Sequence, residues 1–193
     1  MMIKQIRNSK FVIRNCQKGM TYVELIVVLS IFSIMTSITI FNYNKFEAKV
    51  DVKILANDIA SKIVEAQKSA MSGKWNPSAS LNWKPSYGIN FDLTDKTHFI
   101  YFANIGGVGD NIFDSADPVL DEIGITKNNF IKDLKCSGTS ISELDIVFRR
   151  PDSKALINSE IGSCSGDVEI IISSPQAVDS TIKVSPSGRI QIN

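Results

Sequence analysis

The chain has 193 residues, 44% of them hydrophobic and 21% charged, which suits one buried core with appendages and excludes a disordered protein. Its formal net charge of +1 conceals an asymmetry. Residues 1–19 carry Lys4, Arg7, Lys10, Arg14 and Lys18 and no acid; without them sixteen cations face twenty acids, a net of −4, which disfavours general nucleic-acid binding.

After this basic leader, the run from Met20 to Asn44 holds a single charged side chain, Glu24. As a helix rising 1.5 Å per residue, the run is long enough to cross a ~30 Å hydrocarbon core. It exceeds the apolar centre of an ordinary cleaved signal peptide. The leader cations are expected to keep the N-terminus cytoplasmic, with the remainder outside the membrane. From Lys45 to Ser72 no Pro or Gly interrupts the pattern. Phe46, Val50, Ile54/Leu55, Ile59, Ile63, Ala66 and Ala70 recur at three- to four-residue steps, with charges filling the other face. Gly73 is placed as the stop. The spacing predicts one nearly continuous helix over 21–72, on the order of 78 Å long, whose second half packs one stripe on a globular body.

Residues 73–86, "GKWNPSASLNWKPS", have the composition of a connecting loop. Period-two runs follow at Tyr87/Ile89/Phe91/Leu93, Phe99/Tyr101, Leu144/Ile146/Phe148, Val168/Ile170/Ile172 and Ile182/Val184. The tail "STIKVSPSGRIQIN" reads as two strands around a Pro-Ser-Gly turn. A helix followed by strands implies an α+β fold, a mainly antiparallel sheet packed on the helix stripe. The insert over 104–122 is expected to be an exposed loop. The domain plan is thus a leader over 1–19, an apolar helix over 20–44, its amphipathic continuation over 45–73, and a β-rich domain over 74–193.

Lys18-Gly19 followed by Met20, Thr21, Tyr22, Val23, Glu24 and a run of Leu, Ile and Val resembles the cleavage and methylation motif of type IV pilins and type II secretion pseudopilins. The resemblance implies cutting between Gly19 and Met20 by a prepilin peptidase, which also acts as methyltransferase on Met20. It further implies other pilin-like subunits and an inner-membrane assembly platform as partners. The residues carry the same logic physically. Gly19 offers a protease cleft no side chain. Glu24, a little over one turn from the new terminus, can meet a neighbour's α-ammonium, a pair far stronger in low dielectric than in water. The alternative is an uncleaved anchor whose Glu24 snorkels to the interface. The body resembles H-type minor pseudopilins in "LDIVFRRPDSKALI" (144–157), like their central hairpin, and in "VSPSGRIQI" (184–192), like their closing strand pair. The expected role is a structural, non-enzymatic minor subunit of a secretion pseudopilus or pilus. A major pilin or a DNA-binding competence pilin is the alternative.

Other candidates carry competing readings. Cys136 and Cys164, both in polar Ser/Gly contexts, form one disulfide if the body lies outside the cytoplasm; otherwise they are two separate buried thiols. Cys16 stays in the leader. Asp110, Asn111, Asp114, Asp117, Asp121 and Glu122 offer oxygens for Ca²⁺, but their spacing fails the helix–loop–helix calcium pattern, and a solvated loop is the simpler expectation. Arg149, Arg150, Lys154, Lys183 and Arg189 would serve DNA if they converged as a patch; solvated strand edges are the alternative. His98 reads as a strand residue rather than a base, and Gly106-Gly107-Val108-Gly109 lacks the phosphate-loop pattern. Trp75 and Trp83 are expected to pack between helix and sheet.

Overall fold

The computed structural model describes residues 19–80, 83–105 and 111–193. The leader with Lys18 and Cys16, the glycine run at 106–109 and Asp110 lie outside the described residues. The chain falls into two compact units, Met1–Phe41 and Asn42–Asn193. Helix α1 spans Tyr22–Ser72 and contributes to both.

In the first unit every described residue of α1 is exposed, and the surface is apolar almost throughout, from Tyr22 to Ile40. Five Ser and Thr hydroxyls interrupt it beyond the first turn: Ser30, Ser33, Thr36, Ser37 and Thr39. Each donates to the carbonyl four residues back at 2.8–2.9 Å. Their donors are therefore satisfied inside the helix, as an apolar environment requires. This is one helix long and apolar enough to span a membrane.

The second unit is α+β. Among the described residues, eleven strands follow α1: β1 Ser86–Asp92, β2 His98–Ala103, β3 Val119–Gly124, β4 Phe130–Cys136, β5 Thr139–Ile141, β6 Glu143–Arg149, β7 Ala155–Ser159, β8 Gly162–Ser163, β9 Val168–Ser173, β10 Asp179–Val184 and β11 Ile190–Ile192. They form two antiparallel sheets, ordered β3-β2-β1-β6-β7-β8 and β11-β10-β9-β4-β5. One core joins α1 to both sheets. Tyr87, Ile89 and Phe91 of β1 and Leu144, Ile146 and Phe148 of β6 meet Val168, Ile170 and Ile172 of β9 and Ile182 and Val184 of β10 around the helix.

The helix stripe differs from expectation in its first half. Ala48, Val52, Ala56, Ile59, Ile63, Ala66 and Ala70 are buried, whereas Phe46, Val50 and Ile54 are exposed. Ile54 and Leu55 are adjacent, about 100° apart on a helix, and cannot share a face. Leu55 packs partly on the core and Ile54 points away. Small residues make up much of this seam, with Ala48, Ala56, Ala66 and Ala70 all buried.

The helix ends as Gly73 implies. Gly73 has φ +70°, its amide donates to Ala70 O at 3.2 Å, and the Lys74 amide donates to Ser69 O at 3.1 Å. That pair of bonds is a Schellman closure. The last turn carries no basic residue of its own. The Arg150 guanidinium fills that place, so close to Gly73 that an added Cβ would lie 2.8 Å from its Nη1. Tyr87 donates its hydroxyl to Lys74 O at 2.8 Å, and Tyr101 donates to Ser69 Oγ at 3.0 Å, binding the helix end to β1 and β2.

The insert over 104–122 is not simply an exposed loop. Its end is strand β3, whose Asp121 bonds Lys62 of α1 at 3.1 Å. Its middle, 111–118, folds back over the face of the first sheet that the helix does not cover. Phe113 packs on Phe102 with ring centroids 4.9 Å apart. Arg149 donates to Asn111 Oδ1 at 2.8 Å and Asn158 donates to Asn111 O at 2.9 Å. Acid-rich composition alone suggested solvent; the apolar Phe113 and the carbonyl of Asn111 find partners on the sheet instead.

The tryptophans divide. Trp83 donates to Asn104 O at 2.7 Å and packs edge-on against Tyr87, centroids 5.7 Å apart. Trp75 is 54% exposed and does not pack between helix and sheet. It sits in the turn just beyond the helix stop, past the reach of the core.

Candidate functional site

The N-terminal end of α1 assembles the residues of the leader junction. Gly19 and Met20 precede the helix, are exposed, and adopt no regular structure, so the Gly19–Met20 bond is open to a protease. A Cβ on Gly19 would meet nothing within 4 Å. Thr21 is the helix N-cap: its Oγ1 accepts the Glu24 amide at 3.3 Å and its carbonyl accepts the Leu25 amide at 3.0 Å. Thr21 and Glu24 stand at the spacing of a capping box, a signal the motif alone overshadowed. Glu24 falls in the first turn, where the helix dipole favours an anion, and it is exposed among apolar neighbours. An exposed carboxylate on such a surface is available to a cation brought by another chain.

Cys136 and Cys164 are joined as a disulfide, S–S 1.97 Å, with Cα atoms 5.9 Å apart. Cys136 ends β4 in one sheet; Cys164 follows β8 at the edge of the other and donates its amide to Ile157 O at 2.8 Å. The bond therefore links the two sheets.

The basic residues separate into two groups. Arg150 and Lys154, in the β6–β7 turn, and Arg189, after the β10–β11 turn, come to one end of the body, because Gln67 bridges Ser153 O and Gly188 O there. Arg150 sits at the helix terminus, and Arg189 reaches the side-chain amide of Gln191. Arg149 is turned to the opposite face by its bond to Asn111, and Lys183 pairs with Asp167 at 3.2 Å and Glu169 at 3.8 Å. The five do not form one patch.

The acidic insert spends its oxygens locally. Asp114 Oδ1 accepts the Ala116 amide, Asp117 accepts the amides of Ile105 and Asp114, and Asp121 takes Lys62. Among the described residues no three His, Cys, Asp or Glu side chains converge as a cation site. His98 opens β2 at the surface, where its Nδ1 bonds Asp95 at 3.0 Å and lies 3.1 Å from Thr97 Oγ1.

One group escaped the sequence reading. Asp145 of β6 is 1% exposed, and burial pushes its carboxyl up to about 7. Asn90 donates to it at 2.9 Å and the Phe113 amide also bonds it, both of which oppose that rise. The sequence pattern pointed the other way: Asp145 alternates with Leu144 and Ile146, which puts it on the face away from the helix, and its burial comes from the segment around Phe113.

Comparison with protein-family models, with curated proteins and with solved structures finds no match to this chain.

Proposed function

We propose that this chain is a structural pilin-like subunit, cut after Gly19, held in the inner membrane by the first part of α1 and then packed into a filament. The observation that carries the reading is the start of α1: an exposed Gly19–Met20 junction, a Thr21-capped first turn bearing Glu24, and a long apolar surface whose Ser and Thr hydroxyls donate within the helix. Such a helix is stable in hydrocarbon or against other apolar helices, and in neither place is a lone carboxylate favourable. A partner's α-ammonium beside Glu24 relieves that cost, which favours assembly in one register.

A minor subunit resembling the H-type pseudopilins is the finer assignment. It is supported by the β6–β7 hairpin, with Ile146 opposite Ile157, and by the closing β10–β11 pair around Gly188. The partners are other pilin-like subunits, the processing peptidase and methyltransferase, and the inner-membrane platform. The role requires no cofactor and no catalytic side chain. The test is the mass of the membrane-extracted protein after co-expression with a prepilin peptidase. The expected product begins at Met20 and carries an N-terminal methyl group; retention of residues 1–19 would overturn the processing step.

A further inference from the structure

The second face of the first sheet carries a closed, mixed layer. On β1 and β6, Gly88, Asn90, Asp145 and Val147 alternate with the residues of the main core, and Phe102 of β2 lies beside Gly88. Phe102, Asp145 and Val147 are at most 1% exposed, and Asn90 is 4% exposed. Yet Phe102 and Val147 do not belong to the core built on α1. Their cover is the segment 111–118, which has no regular secondary structure and whose Ile112, Asp114, Ser115 and Ala116 are exposed. It is held to the sheet by the Phe113 ring on Phe102, the Asn111 carbonyl and amide oxygens on Asn158 and Arg149, the Phe113 amide on Asp145, and bonds from Ala103, Asn104 and Ile105 to Pro118 O, Ile112 O and Asp117 Oδ1.

The charged groups around Asp145 are mostly acids. Glu143 lies two residues away on β6 and shares the Asn90 amide at 3.1 Å; Asp117 of the segment is 6% exposed. Both repel a charge on Asp145. Asp92 ends β1 opposite Glu143, Asp114 lies in the segment, and Glu160 after β7 binds the amides of Ser142 and Glu143. His98 stands at the start of β2, and the cation Arg149 is directed to Asn111.

We propose that 111–118 is a proton-sensitive strap, latched over this face while Asp145 is protonated and loosened as Asp145 ionises. An ionised carboxylate beneath the strap is desolvated and faces two further acids; opening returns it to water. The closed-state pKa of about 7 lies above the ~3.9 of a solvated Asp. Closure is therefore most favoured below the solvated value, and its advantage is lost as pH rises toward neutrality. The opening constant should rise roughly 50-fold from pH 5 to pH 7. Opening uncovers Phe102 and Val147, an apolar patch distinct from α1.

The test is native-state hydrogen exchange of the full chain in detergent micelles between pH 5 and 8. It is read by mass spectrometry on peptides covering 111–118 and, as reference, β9, after correction for intrinsic rates. The wild type should show the rise in 111–118 alone, and Asp145→Asn should remove it. A flat wild-type profile, or the same rise in Asp145→Asn, overturns the proposal. If Asp145→Asn does not fold, Glu143→Gln decides. Losing the Glu143 charge should give a smaller rise that levels off at lower pH, and an unaltered profile counts against the strap.

Discussion

Gly88→Ala is the sharpest test of how the first sheet is packed. Gly88 is mid-strand in β1, between Phe102 of β2 and Val147 of β6, and its φ lies outside the left-handed region. Two effects oppose each other. Alanine restricts the unfolded chain more than glycine, a gain of about 0.5–1 kcal/mol where the conformation is allowed. Against this, the new Cβ would lie 2.8 Å from Phe102 Cζ, 2.8 Å from Val147 Cγ2 and 3.0 Å from Ile146 O. Phe102 can yield only by pressing on Phe113, and the carbonyl belongs to a strand hydrogen-bonded on both sides. Overpacking of this kind costs about 1–3 kcal/mol, so it wins, leaving a net loss of about 1–2 kcal/mol. With an m-value of about 1–3 kcal/mol/M, the urea midpoint should fall by roughly 0.5–1 M. Near-UV circular dichroism of the full chain in detergent measures it. Gly124→Ala is the reference, since its Cβ would meet only the His98 ring at 3.4 Å, and its midpoint should hold or rise. A Gly88→Ala midpoint at or above that of the wild type would refute the packing argument.

Other substitutions probe the remaining features. Ile63→Ala, at a fully buried position, should cost about 2–5 kcal/mol, whereas Ile54→Ala, 52% exposed, should cost under about 1 kcal/mol in the same urea titration. Equal losses would mean that the helix buries a different face. Replacing both Cys136 and Cys164 by Ser should lower stability by about 3–4 kcal/mol on the loop-entropy model, and reductant should lower the wild-type Tm but not that of the variant. Glu24→Ala should insert in the membrane normally yet fail to enter filaments alongside wild-type subunits; normal incorporation would remove Glu24 from the assembly step.

Features with local causes were legible in the sequence. Gly73 ends the helix because only a residue tolerant of positive φ closes it, and the β10–β11 turn follows from its Pro-Ser-Gly. The helix stripe was half legible: large residues at 46, 50 and 54 imitate a period, while the buried seam uses Ala48, Val52 and Ala56. Strand β4 was not legible at all. Its inward residues are Ile131, Leu134 and Cys136, a three-then-two spacing, because a bulge between Ile131 and Asp133 breaks the alternation. The strap was hidden for a different reason. Its anchors include Phe102 on β2, Asp145 and Arg149 on β6 and Asn158 on β7, and nothing within 111–118 announces them. At the N-terminal site, Gly19, Met20 and Glu24 were singled out by the resemblance to the prepilin motif, whereas the Thr21 cap required the geometry.

The clasp at the end of α1 has a mechanical consequence. Gln67 donates to Ser153 O in the turn of one sheet and reaches Gly188 O in the turn of the other, while Tyr87 and Tyr101 hold the same helical end. A pull on the helix is therefore shared between both sheets at one level. Links loaded in parallel yield together as one cooperative unit rather than peeling one by one. The disulfide, bridging the same two sheets elsewhere, prevents them from shearing apart under that load. The body is thus anchored to its helix as a rivet is, by closure on both sides.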